Sequence, residues 1–491
     1  MSDVEAVLAL DQGTTNSKAI LVGEDSAVLA VGSAPVALAT PAPGWVEQDA
    51  EEIWQSVVAA IAACLRGRFD ATAIAAIAIS AQRESVVAWR RSTGAPLGPV
   101  IGWQDRRTAP WCAEITTPAA ESLVRGRTGL RIDAMFSAPK IRWLLDHVTA
   151  EVPRRDVCVG TIDAWLVWRL TGGAEHACDA GNASRTLLYD VVDLRWSEAL
   201  LDLFGVPREV LPEVRASSAG FGKTAGVPGL PDGIPILAVL ADSHAALYGQ
   251  GCDEPGMAKA TYGTGSSVMT PTPAFVPGDS PVPSTLAWLT DRPTYAREGN
   301  ILSSGATLVW AAELLGLPDV GALVELAVAV DDSDGVSLVP AFSGLGAPYW
   351  DRQAQALLTG MSQGSTRAHV AYAAVESIAH QICDVVEEIE RDGDPITVFR
   401  ADGGATASAL LMQTQADLLG RTVEVADLPE ISALGAARMA WQSLGSTPAG
   451  SDTDAVRALF EPRRSRGEAE TRRERWRNAI TRSRLGNDAG C

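Results

Sequence analysis

Two similar glycine turns, at Gly13 and Gly263, constrain the fold of this 491-residue chain more than any other feature. The segment LALDQGTTNSKAILV (residues 8–22) is an apolar stretch, a turn and a second apolar stretch, and KATYGTGSSVM (residues 259–269) repeats that order. Each segment predicts a β-hairpin. The repetition predicts two similar halves with a cleft between them, and we place the boundary close to residue 250.

Between these turns, stretches with helical and with strand periodicity alternate, which predicts an α/β architecture. The predicted strands are ATAIAAIAIS and IPILAVLAD, which we expect to be buried, and ITVFRADGGA. The predicted helices are GWVEQDAEEIWQSVVAAIAACLRG, KIRWLLDHV, IDAWLVWRL and AHVAYAAVESIAHQICDVVEEIE. The arginine-rich segment after about residue 461 predicts an exposed helix, to which we assign no activity.

Composition excludes several classes of partner. The net charge of −20 argues against nucleic acids and anionic membranes. No apolar run reaches the roughly 18 residues that a transmembrane helix needs, and the acidic start MSDVEAVLAL is unlike a signal peptide. The 7 cysteines are scattered and never form C-x-x-C, which predicts packing roles in a reducing compartment. We therefore expect a cytoplasmic protein.

The residues of both hairpins suit the binding of phosphate groups. Backbone N–H groups at glycine turns and threonine hydroxyls donate to phosphate oxygens. The candidates for holding a triphosphate are Thr14, Thr15, Thr264 and Gly265. Lys18 adds a positive charge, and Asp11 offers an oxygen ligand for Mg²⁺. Each hairpin taken alone is equally consistent with an ordinary turn.

A further glycine turn lies in RADGGATASALLMQ, residues 400–413, where a strand is followed by Gly403, Gly404 and the start of a helix. Such a junction directs N–H groups at a ligand and offers a flat backbone surface to a nucleoside. A tight packing turn is the alternative.

Asp242 ends the buried strand IPILAVLAD immediately before a helix. It predicts either a helix N-cap or a general base. Phosphoryl transfer to a hydroxyl requires one carboxylate to accept the alcohol proton, and a strand end beside a cleft suits that role.

Arg83 and Glu84 follow another strand, and Trp103 lies in GWQDRRT. They predict either a solvated edge or a site that binds neighbouring hydroxyls and packs a carbon chain.

These motifs, together with GNASRTLLYD, GQGCDEPGMAKATYGTG and PAFSGLGAPYWD, resemble those of the FGGY carbohydrate kinases, and among them most closely the glycerol kinases. The resemblance runs from residue 7 to about residue 480. It implies two RNase H-like domains of the actin/Hsp70/sugar-kinase type, residues 1–249 and 250–491, with ATP, Mg²⁺ and a polyol or sugar in the interdomain cleft. It also implies a homo-oligomer, either a dimer or a tetramer.

The resemblance assigns a role to each matching position. Asp242 would be the catalytic base, and Asp11 would lie near the metal. The nucleotide would contact Thr14, Thr15, Lys18, Thr264, Gly265, Gly305, Gly403, Gly404 and Ser408. The acceptor would contact Arg83, Glu84, Trp103, Met135, Asp242, Ser243 and Ser267.

Five positions depart from the glycerol-kinase pattern. By that pattern, Met135 replaces a tyrosine, Ser243 a glutamine and Ser267 a phenylalanine, which together leave a roomier pocket with different polarity. Ser408 replaces an asparagine and Val309 a glutamine beside the adenine. We therefore expect a four- or five-carbon acceptor, and we expect glycerol to be a poor substrate.

Three alternatives remain. A ketose kinase of the xylulokinase type is disfavoured by AQRES, which follows the glycerol-kinase pattern. An ATP-binding switch protein on the same fold is disfavoured, because it would not need the acceptor residues that this chain retains. A pseudokinase that only binds its ligands is disfavoured, because the catalytic base and both phosphate hairpins are retained.

Overall fold

The computed structural model describes residues 5–67, 69–391, 393, 395–426, 430–446 and 456–484. Within these ranges no helix is long and apolar enough to cross a bilayer. The six cysteines in the described part of the chain are all buried and unpaired, as the packing prediction expects.

The first half of the chain forms a mixed sheet, a smaller four-stranded sheet and their covering helices. Its strands are β1 (Ala6–Gln12), β2 (Asn16–Gly23), β3 (Val28–Pro35), β4 (Glu47–Gln48), β5 (Ile74–Ala81), β6 (Val86–Arg90), β7 (Val100–Ile101), β8 (Val157–Thr161), β9 (Ala177–Asp179), β10 (Tyr189–Asp190), β11 (Arg195–Trp196), β12 (Glu213–Arg215) and β13 (Ile236–Ala241). Its helices are α1 (Ala50–Leu65), α2 (Ala109–Ile115), α3 (Pro118–Thr128), α4 (Ser137–His147), α5 (Ile162–Leu170), α6 (Ala180–Ser184), α7 (Glu198–Phe204) and α8 (Asp242–Gly249).

The mixed sheet of the first half has the strand order β13-β5-β1-β2-β3. β1 pairs antiparallel with β2, which confirms the first hairpin, and the pairs β1–β5 and β5–β13 are parallel. The carboxyl ends of parallel strands meet at one sheet edge. Asp11 near the end of β1, Arg83 after β5 and Asp242 after β13 are therefore brought to the same edge.

The second half contains a seven-stranded sheet. Its strands are β14 (Met257–Tyr262), β15 (Ser266–Thr272), β16 (Ser284–Leu289), β17 (Pro293–Ile301), β18 (Ser337–Val339), β19 (Leu357–Thr359), β20 (Val398–Asp402), β21 (Val423–Ala426) and β22 (Val456–Phe460). Its helices are α9 (Gly305–Leu314), α10 (Val320–Ala327), α11 (Arg367–Arg391), α12 (Ala409–Leu419), α13 (Ile431–Ser443) and α14 (Arg466–Arg484).

The seven-stranded sheet has the order β16-β17-β15-β14-β20-β21-β22. β14 and β15 form the second predicted hairpin, and β14 runs parallel to β20. The five strands β17-β15-β14-β20-β21 repeat the order and the directions of β3-β2-β1-β5-β13. The hairpin at Gly263 and the turn at Gly403 consequently meet at the carboxyl edge of this sheet.

Helix α13 belongs to the second half of the chain but packs on the sheet of the first. Its alanines share one buried cluster with residues of β1, β5, β13 and α8. A Cβ atom on Gly435 would lie 1.9 Å from the carbonyl oxygen of Ala245, so only glycine permits this approach of α13 to α8. The residue preceding α13, Glu430, is thereby held near the first hairpin.

The predicted arginine-rich helix is exposed on its outer face, but the prediction was wrong for its inner face, which is buried. Helix α14 forms, but its inner face docks on α11. The buried Arg473 donates to Asp384 at 2.6 Å, and Trp476 donates to the other oxygen of Asp384 at 2.8 Å. The Trp476 ring stacks on His380 with 5.0 Å between centroids. Arginine can be buried when an acidic partner is buried with it, which composition alone does not reveal.

Candidate active site in the interdomain cleft

Asp242 is the first residue of α8, while Ala241 occupies the N-cap position. Its Oδ1 accepts a hydrogen bond from the adjacent Ser243 N–H at 2.6 Å. About a third of the side chain, 35%, is exposed. The carboxylate is therefore not used as an N-cap and remains open to a ligand.

The charge state of Asp242 depends on burial and on Arg83. Burial raises the pKa of Asp242, and the Arg83 guanidinium, whose Nε lies 3.5 Å from Oδ1, opposes that rise. A carboxylate with a raised pKa that a neighbouring cation keeps ionised can accept a proton from a hydroxyl.

Asp11 lies close enough to Asp242 for the two carboxylates to influence each other. The pKa of Asp11 is raised to about 6, mainly by burial and also by the charge of Asp242, while the charge of Lys18 opposes the rise. A divalent cation would relieve this repulsion, so the two acids fit Mg²⁺. Because no cluster of three or more candidate ligands occurs among the described residues, most ligands of such an ion would be phosphate and water oxygens, as Mg²⁺ prefers.

The first hairpin presents its hydroxyls beside the predicted acceptor site. The Trp103 indole N–H donates to Thr14 Oγ1 at 3.0 Å, and the Gln48 side-chain amide donates to the Thr14 carbonyl at 2.7 Å. Thr15 is exposed at the turn. Trp103, predicted from a separate motif, is thereby placed next to the predicted phosphate-binding turn.

Lys18 contacts a carboxylate that the sequence analysis did not select. Its ammonium group forms an ion pair with Glu430, the residue before α13. Glu430 adopts a left-handed conformation with φ of 70°, which is uncommon for a residue other than glycine. A phosphate group would therefore compete with Glu430 for Lys18.

The second hairpin is bound to the start of α9. Gly263 N–H donates to the Gly265 carbonyl at 2.9 Å, and Gly305 N–H donates to the Gly263 carbonyl at 2.9 Å. A Cβ on Gly305 would lie 2.6 Å from that carbonyl oxygen, so the close contact requires glycine. Gly263, Thr264 and Gly305 line a cleft of about 890 Å³, whereas Gly265 is not in its lining.

The turn after β20 forms another wall of this cleft. Gly403 has φ of +95°, and a Cβ there would lie 2.5 Å from the Tyr262 carbonyl oxygen. A Cβ on Gly404 would meet no atom within 4 Å, so space for a ligand remains there. Ser408 also lines the cleft, and its hydroxyl accepts from Leu411 N–H at 3.3 Å, which caps α12. These positions fit the predicted nucleotide site.

Arg83 and Glu84 belong to a buried network of four charged side chains. Arg83 donates through both terminal nitrogens to Glu298, at 2.8 and 2.7 Å. Arg185 donates to Glu84 at 2.7 Å and lies 3.3 Å from Glu298. Burial alone would raise the pKa of Glu298, but Arg83 and Arg185 hold it far below its usual value. The network therefore carries two positive and two negative charges.

Lys140 is a buried residue that connects two backbone segments of the predicted acceptor site. It is completely buried and donates to the carbonyls of Met135 at 2.7 Å and Gly102 at 3.2 Å. Burial lowers its pKa to about 7. Lys140 thereby ties the backbone before Trp103 to the backbone of Met135.

The three divergent acceptor positions are all partly buried. Ser243 follows Asp242, Ser267 pairs across the sheet with Thr261 and Asn300, and Met135 packs against the core of the first half. Among the described residues, neither the Ser243 nor the Ser267 hydroxyl makes a hydrogen bond. Both hydroxyls are available to a ligand.

Sequence reasoning missed Glu298, Arg185, Lys140 and Glu430. Arg185 lies within GNASRTLLYD, a motif noted without assigning a role to this residue. Glu298 lies beside Arg297 in β17, and both side chains are buried, so each requires a buried partner. No local pattern indicates which partner that is.

Comparison with known proteins identifies the two halves. The sequence model of the N-terminal domain of the FGGY family of carbohydrate kinases matches residues 6–249, and that of the C-terminal domain matches residues 258–444. The glycerol kinase of Alkalilimnicola ehrlichii is 44% identical over 493 residues, 98% of each chain. The glycerol kinase of Geobacter sp. strain M21 is 45% identical over 97% of this chain and 98% of its own.

Solved structures show the same relationship. The crystal structure of Plasmodium falciparum glycerol kinase with ADP superposes with a TM-score of 0.91 at 29% identity, covering 98% of each chain. A xylulose kinase from Rhodospirillum rubrum superposes with a TM-score of 0.84 at 26% identity, covering 97% of this chain and 98% of its own. The chain therefore belongs to the FGGY family of carbohydrate kinases and is an ATP-dependent phosphotransferase whose acceptor is an alcohol group.

Proposed function

We propose that this chain transfers the γ-phosphoryl group of ATP, with Mg²⁺, to a terminal hydroxyl of a four- or five-carbon polyol. The observation that carries the proposal is the position of Asp242. Its carboxylate is partly exposed, lies 3.5 Å from Arg83 and is close enough to Asp11 to raise the pKa of that residue. A general base, a charged hydroxyl-binding group and a metal-binding acid are thus assembled at one sheet edge.

In this proposal the two hairpins and the turn at Gly403 hold the nucleotide. Thr14, Thr15 and Thr264 donate to phosphate oxygens, and Lys18 exchanges Glu430 for a phosphate. Bound Mg²⁺ neutralises charge on the phosphates, and Asp11 would hold it directly or through water. The 29% identical Plasmodium glycerol kinase was crystallised with ADP, which supports the binding of an adenine nucleotide by this fold.

The acceptor would lie between Asp242 and Trp103. Arg83 donates to its hydroxyls, Glu84 accepts from them, and the Trp103 ring covers its carbon chain. Asp242 accepts the proton of the attacking hydroxyl as the new O–P bond forms and the bond between the γ-phosphorus and the ADP oxygen breaks, so that ADP leaves. Closure of the cleft around both ligands would exclude water and limit hydrolysis of ATP.

The acceptor length is inferred from Met135, Ser243 and Ser267. Two unpaired hydroxyls and a flexible apolar side chain suit a longer chain that carries additional hydroxyl groups. The relatives at 44% and 45% identity are glycerol kinases, so the inferred length differs from what their names indicate.

ADP release should be measured with Mg²⁺ and ATP for glycerol, erythritol, both threitols, xylitol, ribitol, the arabitols, erythrulose, xylulose and ribulose. We expect a four- or five-carbon polyol to give the highest kcat/KM. If glycerol gives the highest kcat/KM, the inference of a longer acceptor is refuted and the protein is a glycerol kinase. If a ketose gives the highest kcat/KM, the xylulokinase alternative is supported. Absence of turnover with every compound would contradict the proposed function.

We also propose that the protein is a cytoplasmic homo-oligomer. The six cysteines in the described part of the chain, all buried and unpaired, support a reducing compartment. Light scattering after size-exclusion chromatography should give a multiple of the chain mass of 51.5 kDa. A mass equal to one chain would contradict the oligomer.

A further inference from the structure

The longest stretch of the chain without a charged residue lies largely on the surface. Residues 26–46, SAVLAVGSAPVALATPAPGWV, contain no Asp, Glu, Lys or Arg, although 20% of all residues in the chain are charged. The stretch contains the whole of β3 and the loop that follows it. A surface of this kind is unusual in a chain with a net charge of −20.

Thirteen residues of this stretch are exposed, and only two of them, Ser33 and Thr40, have polar side chains. Val28 and Leu29 are each 42% exposed. Val31 is 45% exposed and Leu38 is 40% exposed. We call the exposed residues the β3 surface; they are Ala27, Val28, Leu29, Val31, Ser33, Pro35, Ala37, Leu38, Ala39, Thr40, Pro41, Pro43 and Gly44.

The β3 surface includes a free sheet edge. β3 is the outermost strand of the mixed sheet, so one of its edges has no neighbouring strand among the described residues. After a register shift at Leu29, its pairing with β2 is regular from Ala30 to Pro35. Edge strands are usually protected by charged side chains, an interior proline or a covering element. β3 has no charge over its 8 residues, and its single proline is the last of them.

Other parts of the chain cover β3 on one face only. Helix α1 packs against it so closely that a Cβ on Gly32 would lie 2.1 Å from the Ala60 carbonyl oxygen. On the opposite face, the buried cluster beneath α13 includes residues of β1, β2, β5 and β13 but none of β3. Leu29 and Val31 therefore remain exposed beyond the edge of α13.

The segment that follows α13 is a poor cover for this surface. Ser446 donates to Glu24, shortly before β3, at 2.9 Å. The next residues, TPAGSDTDA (447–455), lie outside the described part of the chain, and their sequence contains no Leu, Ile, Val, Met or aromatic residue. They offer no large apolar side chain to pack on Val28, Leu29 and Val31.

A second copy of the chain fits the β3 surface for two reasons. Copies with a net charge of −20 repel each other, so they associate most readily where neither carries a charge. An antiparallel pair of identical strands is symmetric about a two-fold axis, so the free edge of β3 can be completed by β3 of a second copy. The surface also offers no charged group with which to select a different partner.

We infer that this kinase forms two-fold symmetric dimers through β3, whose antiparallel pairing with β3 of a second copy joins the two mixed sheets into one continuous sheet. Val28, Leu29, Val31 and Leu38 are buried in this interface. The inference rests on the proposed homo-oligomer and names the surface that forms it.

The test is light scattering after size-exclusion chromatography of the full-length protein and its variants. The wild type should give an even multiple of the chain mass of 51.5 kDa. Val31→Lys in the strand and Leu38→Lys in the loop should each halve that mass. Like charges brought together at an interface should raise the dissociation constant about 100-fold or more. Val31→Ile, which keeps the apolar character, should retain the wild-type mass.

The matched control is Leu459→Lys. It adds the same charge to β22, the edge strand of the seven-stranded sheet, where Leu459 is 62% exposed, and it should leave the mass unchanged. Thermal unfolding and titration with ADP establish that each variant is folded. Leu38→Lys lies outside regular secondary structure, so it decides the result if Val31→Lys does not fold.

The outcomes separate this inference from the proposals on which it depends. If the folded lysine variants keep the wild-type mass, or if the control halves it as well, the inference is overturned and the homo-oligomer stands. A wild-type mass equal to one chain would overturn both. Release of ADP with the acceptor panel tests the kinase activity independently of either result.

Discussion

Arg83 and Glu298 form a buried two-point ion pair that joins the two halves of the molecule beside Asp242. The two hydrogen bonds measure 2.8 and 2.7 Å, and the residues are 215 positions apart in the chain. Arg83 Nε lies 3.5 Å from Asp242 Oδ1. The position of a predicted acceptor-binding side chain in the first half is thus determined by a strand of the second half.

Replacing Glu298 by glutamine should therefore weaken acceptor binding more than nucleotide binding. The variant leaves Arg83 with an uncompensated buried charge, and breaking such a pair costs about 3–5 kcal/mol of folding stability. We expect a lower Tm and a raised acceptor KM, with an ADP dissociation constant close to that of the wild type. Glu424→Gln, which breaks a pair with Arg400 within the second sheet, is the control. An unchanged acceptor KM in the Glu298 variant would contradict the positioning role.

Asp242→Asn tests the general base. The variant retains the side-chain shape but cannot accept a proton, so kcat should fall at least roughly 10²-fold. Because burial penalises the charged form, Tm should not fall. Kinetics, ADP titration and thermal unfolding check these expectations, with Asp232→Asn on an exposed loop as the control. A kcat for Asp242→Asn above half of the wild-type value would show that Asp242 is not the general base.

The pH dependence of kcat/KM should reflect the raised pKa of Asp242. The ionised carboxylate is the active form, so activity should be lost as pH falls through that pKa. The acidic limb should lie above the ordinary value of 3.8. Removing the positive charge in Arg83→Gln should move the limb to higher pH, because Arg83 lowers this pKa. A limb that moves to lower pH would show that the titrating group is another residue.

Two buried carboxyl groups should make folding stability depend on pH. Burial raises the pKa of Asp163 to about 6 and that of Asp179 to about 7. The folded state therefore keeps protons that the unfolded state releases, so their contribution is fully present below about pH 4 and is lost as pH rises to about 7.

Asp179→Asn should remove one part of that dependence. Relative to wild type, its free energy of unfolding should rise with pH between 4 and 7 by roughly 1 kcal/mol per pH unit. Denaturant unfolding at several pH values measures this slope. Asp232→Asn should show no such slope, and parallel curves for Asp179→Asn and wild type would refute the buried, protonated state.

Because α14 is docked on α11 through Trp476, we expect the Trp476→Ala variant to be much less stable than the wild type. The ring is buried against His380 and bonded to Asp384, and truncation of a buried aromatic side chain costs about 3–5 kcal/mol. Thermal unfolding should show a clear loss of Tm. Arg475→Ala, on the exposed face of the same helix, should change Tm little. Similar Tm values for both variants would mean that the helix is not docked.

Local signals in the sequence were enough to predict the hairpins, the alternation of strands and helices, and the position of Asp242 at the end of a strand. Turn chemistry and side-chain periodicity act over a few residues, so they can be read without the fold. The parallel pairing of β1, β5 and β13, which the structure shows, then brings Asp11, Arg83 and Asp242 to one edge.

Only the tertiary structure determined which charged side chains form ion pairs with each other. Glu298 reaches Arg83, Glu430 reaches Lys18, and Asp384 receives Arg473, and in the first two pairs the partners belong to different halves of the chain. Such pairs follow from how sheets and helices pack over long sequence separations, and they leave no local pattern. For the same physical reason, the sequence did not reveal that Arg472 and Arg473 on the inner face of α14 are buried.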